Sequence, residues 1–195
     1  DTYDDRVRRQ PGEGARLEAE RPGGEVVDAA VAWLNQTTSQ FFLWVHLYDP
    51  HAPYDPPSGY RERAGGDAYN GEVAYADAQV ARLVELLRAR GVLASTIVVV
   101  TGDHGEGLGE HGEHAHGMLA YDSTLRVPLV FSGAAVPTRV VTAPVSLTDL
   151  APTLSRLAGE TLRVAIEVGA TASQASPARE RDRQHDESVQ AARPS

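Results

Sequence analysis

Four histidines stand between positions 104 and 116: His104, His111, His114 and His116. Asp103, Glu106, Glu110 and Glu113 are interleaved with them in the segment TGDHGEGLGEHGEHAHG. A carboxylate beside an imidazole suits a divalent cation, because the anion supplies charge and the neutral ring a lone pair. A solvated surface loop rich in His would have the same composition, so composition alone does not choose between the two. Asp49 and His51, in YDPHAPYDPP, repeat the pairing some fifty residues earlier.

The elements that must position these groups favour a site. The run Phe41 to Leu47, FFLWVHL, reads as a buried strand that stops just before Asp49. The four prolines of DPHAPYDPP forbid helix or central strand there. The run Thr96 to Val100, TIVVV, is continuous and β-branched, as in strands buried on both faces of a parallel sheet. Asp103 and His104 follow it almost at once. Ligands of parallel α/β sheets bind beyond the carboxyl ends of the strands, so both strand exits deliver a carboxylate and an imidazole to one rim. Gly102 and Gly105 would let the backbone bend around them.

Helical spacing marks Gly24 to Gln36, with Val26, Val27, Ala30, Val31, Trp33 and Leu34 on its apolar positions. A longer helix is predicted over Tyr69 to Arg90, its face formed by Val73, Ala76, Val80, Leu83, Val84 and Leu87 and its end marked by Gly91. A short helix over Met118 to Thr124, a third strand over Val127 to Phe131 and a helix over Asp149 to Leu157, closed by Gly159, complete the pattern. The order predicts an α/β fold, mainly a parallel sheet flanked by helices. Residues 1–23 read as an irregular lead-in, 24–160 as the structured part, and 161–195 as a low-complexity tail expected to be disordered.

A net charge of −9 argues against a nucleic-acid binder, which needs a basic face. The 18 basic residues are all Arg, which removes Lys as a catalytic group. The absence of Cys excludes thiolate ligands, disulfides and a cysteine nucleophile within these residues. No apolar run reaches the ~18–20 residues of a membrane span, and the sequence fixes no compartment.

The segment TGDHGEGLGEHGEHAHGMLAYDSTLRVPLVFSG closely resembles the second metal-binding motif of sulfatases and related phosphate- and phosphonate-ester hydrolases of the alkaline-phosphatase-like superfamily. FFLWVHLYDPHAPYDPP resembles the substrate-histidine segment of the same family. YNGEVAYADAQVARLVELLRARG and VSLTDLAPTLSRLAG resemble two of its helices. The matches run in order from about Gly24 to Gly159 and imply the C-terminal part of such a catalytic domain.

That resemblance implies Asp103 and His104 as metal ligands, His51 as a contact to the anionic ester or its leaving oxygen, and His116 as a group that binds the ester oxyanion. Each has a plainer alternative: a turn-capping Asp beside an exposed His, a loop His wedged between Pro50 and Pro53, and a solvated His. The implied cation is Ca²⁺, with Mn²⁺ or Zn²⁺ as alternatives better suited to an imidazole. The implied substrate is a small-molecule or saccharide sulfate ester; a phosphodiester or phosphonate monoester is the runner-up. Two further readings are an inactive fragment that at most binds a metal, and a His-rich metal buffer. The family's formylglycine motif, C-x-P-x-R, has no counterpart here, so the nucleophile is expected upstream and the isolated chain is expected to be inactive. Among the remaining residues, His111 and His114 are expected at the surface and His46 in the core. Asp49 is expected to cap a turn, Tyr121 and Arg126 to pack or pair structurally, and the loop glutamates to face solvent.

Overall fold

The computed structural model describes residue 4 and residues 21–112, 116–117, 119–134 and 136–159. Most of the expected lead-in, the tail from 161 onward, His114, Glu113 and Met118 lie outside them. The chain divides into two compact units, one up to Arg139 and one from Val140.

In the first unit, helix α1 (Gly23–Gln36) packs on α3 (Ala68–Ala89), and the single turn α2 (Tyr60–Arg63) also packs on α3. Val27, Ala30 and Leu34 of α1 are buried at helical spacing, with Val27 and Leu34 fully enclosed. Burial of each of those two side chains contributes roughly 1.5–3 kcal/mol. The start of α1 is held by two side chains from distant segments. Asp49 Oδ2 accepts the Gly23 N–H at 2.8 Å and the Tyr75 hydroxyl accepts the Gly24 N–H at 2.8 Å. At its other end the Arg90 guanidinium donates to the carbonyls of Leu34 and Thr37, where a cation complements the helix dipole.

Asp67 begins α3 by accepting the Asn70 N–H at 2.9 Å, an N-cap bond. Gly91, at φ 71°, ends it. The buried line of α3 differs from the predicted apolar face. It runs through Gly71, Glu72, Tyr75 and Gln79 before reaching Leu87, while Val73 is exposed. Periodicity favoured valines, but α3 faces both α1 and the His51 loop, where its Tyr75 hydroxyl accepts the Gly24 N–H of α1 and its Glu72 carboxylate accepts amides of the loop.

A 3₁₀ turn at Leu93–Ser95 leads into β1 (Val98–Thr101), which pairs with β2 (Leu129–Ser132). The pairing is antiparallel, with Val98 opposite Ser132 and Thr101 opposite Leu129. No parallel pair occurs among the described residues, so the expected parallel sheet is not seen in them. A continuous apolar run carries no direction, and the burial on both faces expected of it is not seen either, since no residue of β1 is buried and Val100 is 38% exposed. Among the described residues the return path contains a 3₁₀ turn (Glu110–Gly112) and the single turn α4 (Asp122–Leu125), and no packed helix of the kind a parallel crossover uses.

The segment Phe41 to Leu47 joins no ladder among the described residues. Its burial nevertheless alternates with a strand-like period of two: Phe42, Trp44 and His46 are exposed, and Phe41, Leu43, Val45 and Leu47 are less so. His46 is therefore not the core histidine expected from its apolar neighbours, because it shares the outward face with Phe42 and Trp44.

The second unit, as far as it is described, contains a 3₁₀ turn (Leu147–Asp149) and α5 (Leu150–Ala158). Asp149 Oδ2 accepts the Ser146 N–H at 3.2 Å, and Gly159 at φ 72° closes the helix. Among the described residues no helix is long and apolar enough to cross a membrane.

Candidate active site

His51 is held by a carboxylate from α3. Glu72, only 5% exposed, accepts the His51 peptide N–H on Oε2 at 3.1 Å and the Asp55 N–H on Oε1 at 2.7 Å. A loop too rich in proline to form a ladder thereby finds partners for two of its amide donors. The imidazole lies against the Tyr48 ring, with 4.4 Å between centroids. Its Nδ1 is 2.7 Å from the Ala52 carbonyl and its Nε2 3.3 Å from the Tyr48 hydroxyl. Since a carbonyl only accepts, Nδ1 carries the proton in that contact.

Asp103 and His104 emerge two residues beyond β1. Asp103 Oδ1 accepts the His104 N–H at 2.9 Å, and His104 Nδ1 lies 2.8 Å from the Gly105 carbonyl. With Nδ1 donating, Nε2 presents its lone pair, 3.8 Å from Asp103 Oδ1. Two metal bonds of about 2.0–2.6 Å each can bridge that separation. Both side chains are nearly half exposed. The pair fits a divalent cation as part of a coordination shell. It is not a whole shell, since no group of three or more such donors occurs among the described residues.

The loop that follows is pinned by Gly105, whose N–H donates to the Thr124 carbonyl at 2.8 Å. A Cβ at this position would meet the Ser123 carbonyl oxygen at 2.0 Å. Close approach to α4, more than freedom to bend, is what requires glycine here.

His116 is the centre of the cluster. Its ring centroid lies 4.0 Å from that of His104 and 5.3 Å from that of His51. Imidazoles from two segments more than fifty residues apart are thus brought side by side. With His104, the ring also borders an open cavity of about 410 Å³ lined further by Gly117, Leu119, Ala120, Thr124 and Leu125.

Glu106 was expected to face solvent, and it does not. Its side chain is 6% exposed and accepts the Tyr54 hydroxyl at 2.9 Å and the His116 ring through Nδ1 at 3.1 Å. Burial pushes its carboxyl up, but hydrogen bonds from Tyr54, His116 and the Gly107 N–H together outweigh this, and the net shift is below the usual carboxylate range. In a Gly- and His-rich stretch its type looks like ordinary solvated polarity.

The same bond acts on Tyr54 in the opposite sense. Burial first, then the hydrogen bond to Glu106, raise its pKa far above that of a free phenol. A raised value means that the folded state favours the protonated phenol. Its contribution to stability is full below about pH 10 and is lost as pH rises through the raised folded value. We expect Tyr54→Phe to remove no ionising phenol from an absorbance titration between about pH 10 and 11, because Tyr54 does not titrate there. Loss of one tyrosinate over that range would show that the phenol is not so held.

The other predicted residues lie as follows. His111 is exposed and stacks on Tyr121 at 4.0 Å, and Arg126 pairs with Asp122 at 3.9 Å on the surface. Glu110 is exposed and accepts the Leu108 N–H. Asp49 caps α1 rather than its own turn and is not seen bonded to His51.

A family model described as Sulfatase matches residues 8–160. The chain belongs to the sulfatase family. It is 31% identical to the steryl-sulfatase of Mus musculus over 165 residues, 74% of this chain and 26% of that protein. To the choline-sulfatase of Rhizobium meliloti it is 34% identical over 95 residues, 49% and 18% of the two chains. To the human iduronate 2-sulfatase it is 38% identical over 102 residues, 52% and 18%. The matched stretch is thus about a quarter or less of these sulfatases.

Two solved structures share the fold. One, from Bacteroides fragilis and assigned as the sulfatase yidJ, superposes with a TM-score of 0.63 at 23% identity, covering 69% of this chain and 36% of that one. The other is Ps i-CgsB, crystallised with k-i-k-neocarrahexaose. It gives a TM-score of 0.59 at 24% identity over 78% and 37% of the two chains.

Proposed function

We propose that this sulfatase-family chain forms the substrate-histidine and second metal-binding segments of a sulfuric ester hydrolase. The observation that carries the reading is the meeting of His51, His104 and His116, with His116 4.0 Å from one ring and 5.3 Å from the other. Asp103 and His104 would hold a divalent cation, Ca²⁺ in the first instance. Bound there, the cation would supply positive charge to the ester oxygens as the bond breaks. His51 and His116, whose Nδ1 atoms face a carbonyl and a carboxylate, would act as imidazolium ions, donating Nε2–H to ester oxygens or passing that proton to the leaving group.

The substrate proposed is a small-molecule or saccharide sulfate ester, and the frame proposed for the whole domain is a mainly parallel sheet flanked by helices. These 195 residues contain no C-x-P-x-R-type motif, with either Cys or Ser in the first position, that could yield the family's formylglycine. The nucleophile is therefore proposed to come from sequence outside them, and the chain by itself to be inactive.

Metal analysis and aryl sulfate turnover of the full-length protein test this reading. Asp103→Ala and His104→Ala should each lose bound cation and turnover together. Unchanged metal content and activity in both would remove the assignment.

One observation favours a second reading. His104 offers an imidazole nitrogen where Ca²⁺ prefers oxygen, which suits Mn²⁺ or Zn²⁺ and a phosphodiester or phosphonate monoester substrate. Faster turnover of aryl phosphate diesters than of aryl sulfates by the full-length protein would select it.

A further inference from the structure

Glu106 is a nearly enclosed carboxylate whose acceptor sites are used on three sides. Tyr54 donates to Oε2 at 2.9 Å, and the Gly107 N–H to Oε1 at 3.0 Å. His116 Nδ1 lies 3.1 Å from Oε1 and 3.2 Å from Oε2. The donors come from different parts of the chain. Tyr54 belongs to the His51 loop, Gly107 to the loop after Asp103 and His104, and His116 to the end of that same loop. Glu106 is therefore where the two chemistry-bearing segments are bonded through side chains.

We propose that Glu106 is a positioning residue that orients the His116 imidazole and locks it to the His51 segment through Tyr54. An ionised carboxylate only accepts, so the contact requires the proton on Nδ1 and leaves Nε2 as the atom turned to substrate, where it donates to an ester oxygen once the ring also carries the Nε2 proton. Two nearly equal distances to the two oxygens restrict the ring's plane as well as its tautomer. The Tyr54 bond then sets how far that ring stands from His51. A residue that holds a histidine by its second nitrogen is an outer partner of the reacting group, and loss of such partners typically costs 10–100-fold. The proposal rests on His116 acting on the ester, and its test separates the two ideas.

The test uses full-length protein labelled with ¹⁵N-histidine. Long-range ¹⁵N correlation spectra of the wild type should show neutral His116 as the Nδ1–H tautomer. Glu106→Ala should shift it toward Nε2–H and lower kcat about 10–100-fold, with bound metal unchanged. Glu106→Gln, which can still accept from Nδ1–H, should recover part of both. Tyr54→Phe should keep the tautomer but lose part of the turnover. An Nε2–H tautomer in the wild type would overturn the proposal without any variant. So would Glu106→Ala and Glu106→Gln both retaining wild-type tautomer and kcat. His116→Ala decides the underlying reading: full turnover in it would remove His116 from the chemistry, while the tautomer result would still judge the role of Glu106.

Discussion

Gly105→Ala should destabilise the protein by about 3 kcal/mol and, in the full-length protein acting as proposed, abolish most of the aryl sulfate turnover. The added methyl would stand 2.0 Å from the Ser123 carbonyl oxygen and 3.2 Å from Thr124 Cα. Both are backbone atoms of α4, so no side-chain rotation relieves the contact. Overpacking of this kind costs roughly 1–3 kcal/mol, occasionally more. Separating the strands of chain also breaks the bond from Gly105 N–H to the Thr124 carbonyl, worth about 0.5–1.5 kcal/mol. The displaced backbone carries His104 on one side and Glu106 on the other, so the proposed metal ligand and the carboxylate bonded to His116 would move together. Urea unfolding with an unchanged m-value measures the stability term. Gly102→Ala is the comparison: its Cβ would meet the His104 carbonyl at 3.2 Å and Val127 side-chain atoms at 3.5–3.6 Å, a milder crowding that should cost less. Equal midpoints for the two variants would show that α4 yields easily and that close approach is not why residue 105 is glycine.

What the sequence could reveal here depended on whether the physics was periodic or local. Helices α1, α3 and α5 were legible because apolar spacing and the glycines at 91 and 159 mark their courses and ends. The segments bearing His51, Asp103, His104 and His116 were legible from residue type and spacing, and the structure brings His51 and His104 to either side of His116. Which face of α3 is buried was not legible, because Glu72 and Tyr75 turn inward to accept amides of the His51 loop and of the start of α1, which no apolar stripe announces. Strand direction was hidden for a related reason: β-branching in TIVVV reports a pleated surface and is silent on the sense of pairing. His46 misled because an apolar run with period-two burial exposes every second residue. Glu72 and Glu106 were not legible as interior residues, and Glu106 had been expected to face solvent. A glutamate in a helix or a Gly-rich loop is most often solvated, and only tertiary contact shows that each sits in the interior with amide, hydroxyl or imidazole donors around it.

Glu72 also gives the second large effect. Its two oxygens take the N–H groups of His51 and Asp55 in a loop whose four prolines have no N–H to offer. Glu72→Ala would leave both donors without that partner beside a helix face that is otherwise buried. Each unsatisfied group costs about 1–3 kcal/mol, and partial access of water returns some of it, so a loss of roughly 2–4 kcal/mol is expected. Glu72→Gln keeps one acceptor oxygen and should fall between, because it can serve His51 or Asp55 and not both. In the full-length protein acting as proposed, turnover should drop with the displacement of His51, whereas metal held by Asp103 and His104 should remain, since they lie on the other segment. Hydrogen exchange reads the cause directly: protection of the His51 and Asp55 amides should vanish in Glu72→Ala while that of the α1 interior persists. Retained protection at both amides would mean that the loop is held by its prolines and by the stacking of His51 on Tyr48, and that the buried carboxylate on α3 does not set where His51 stands.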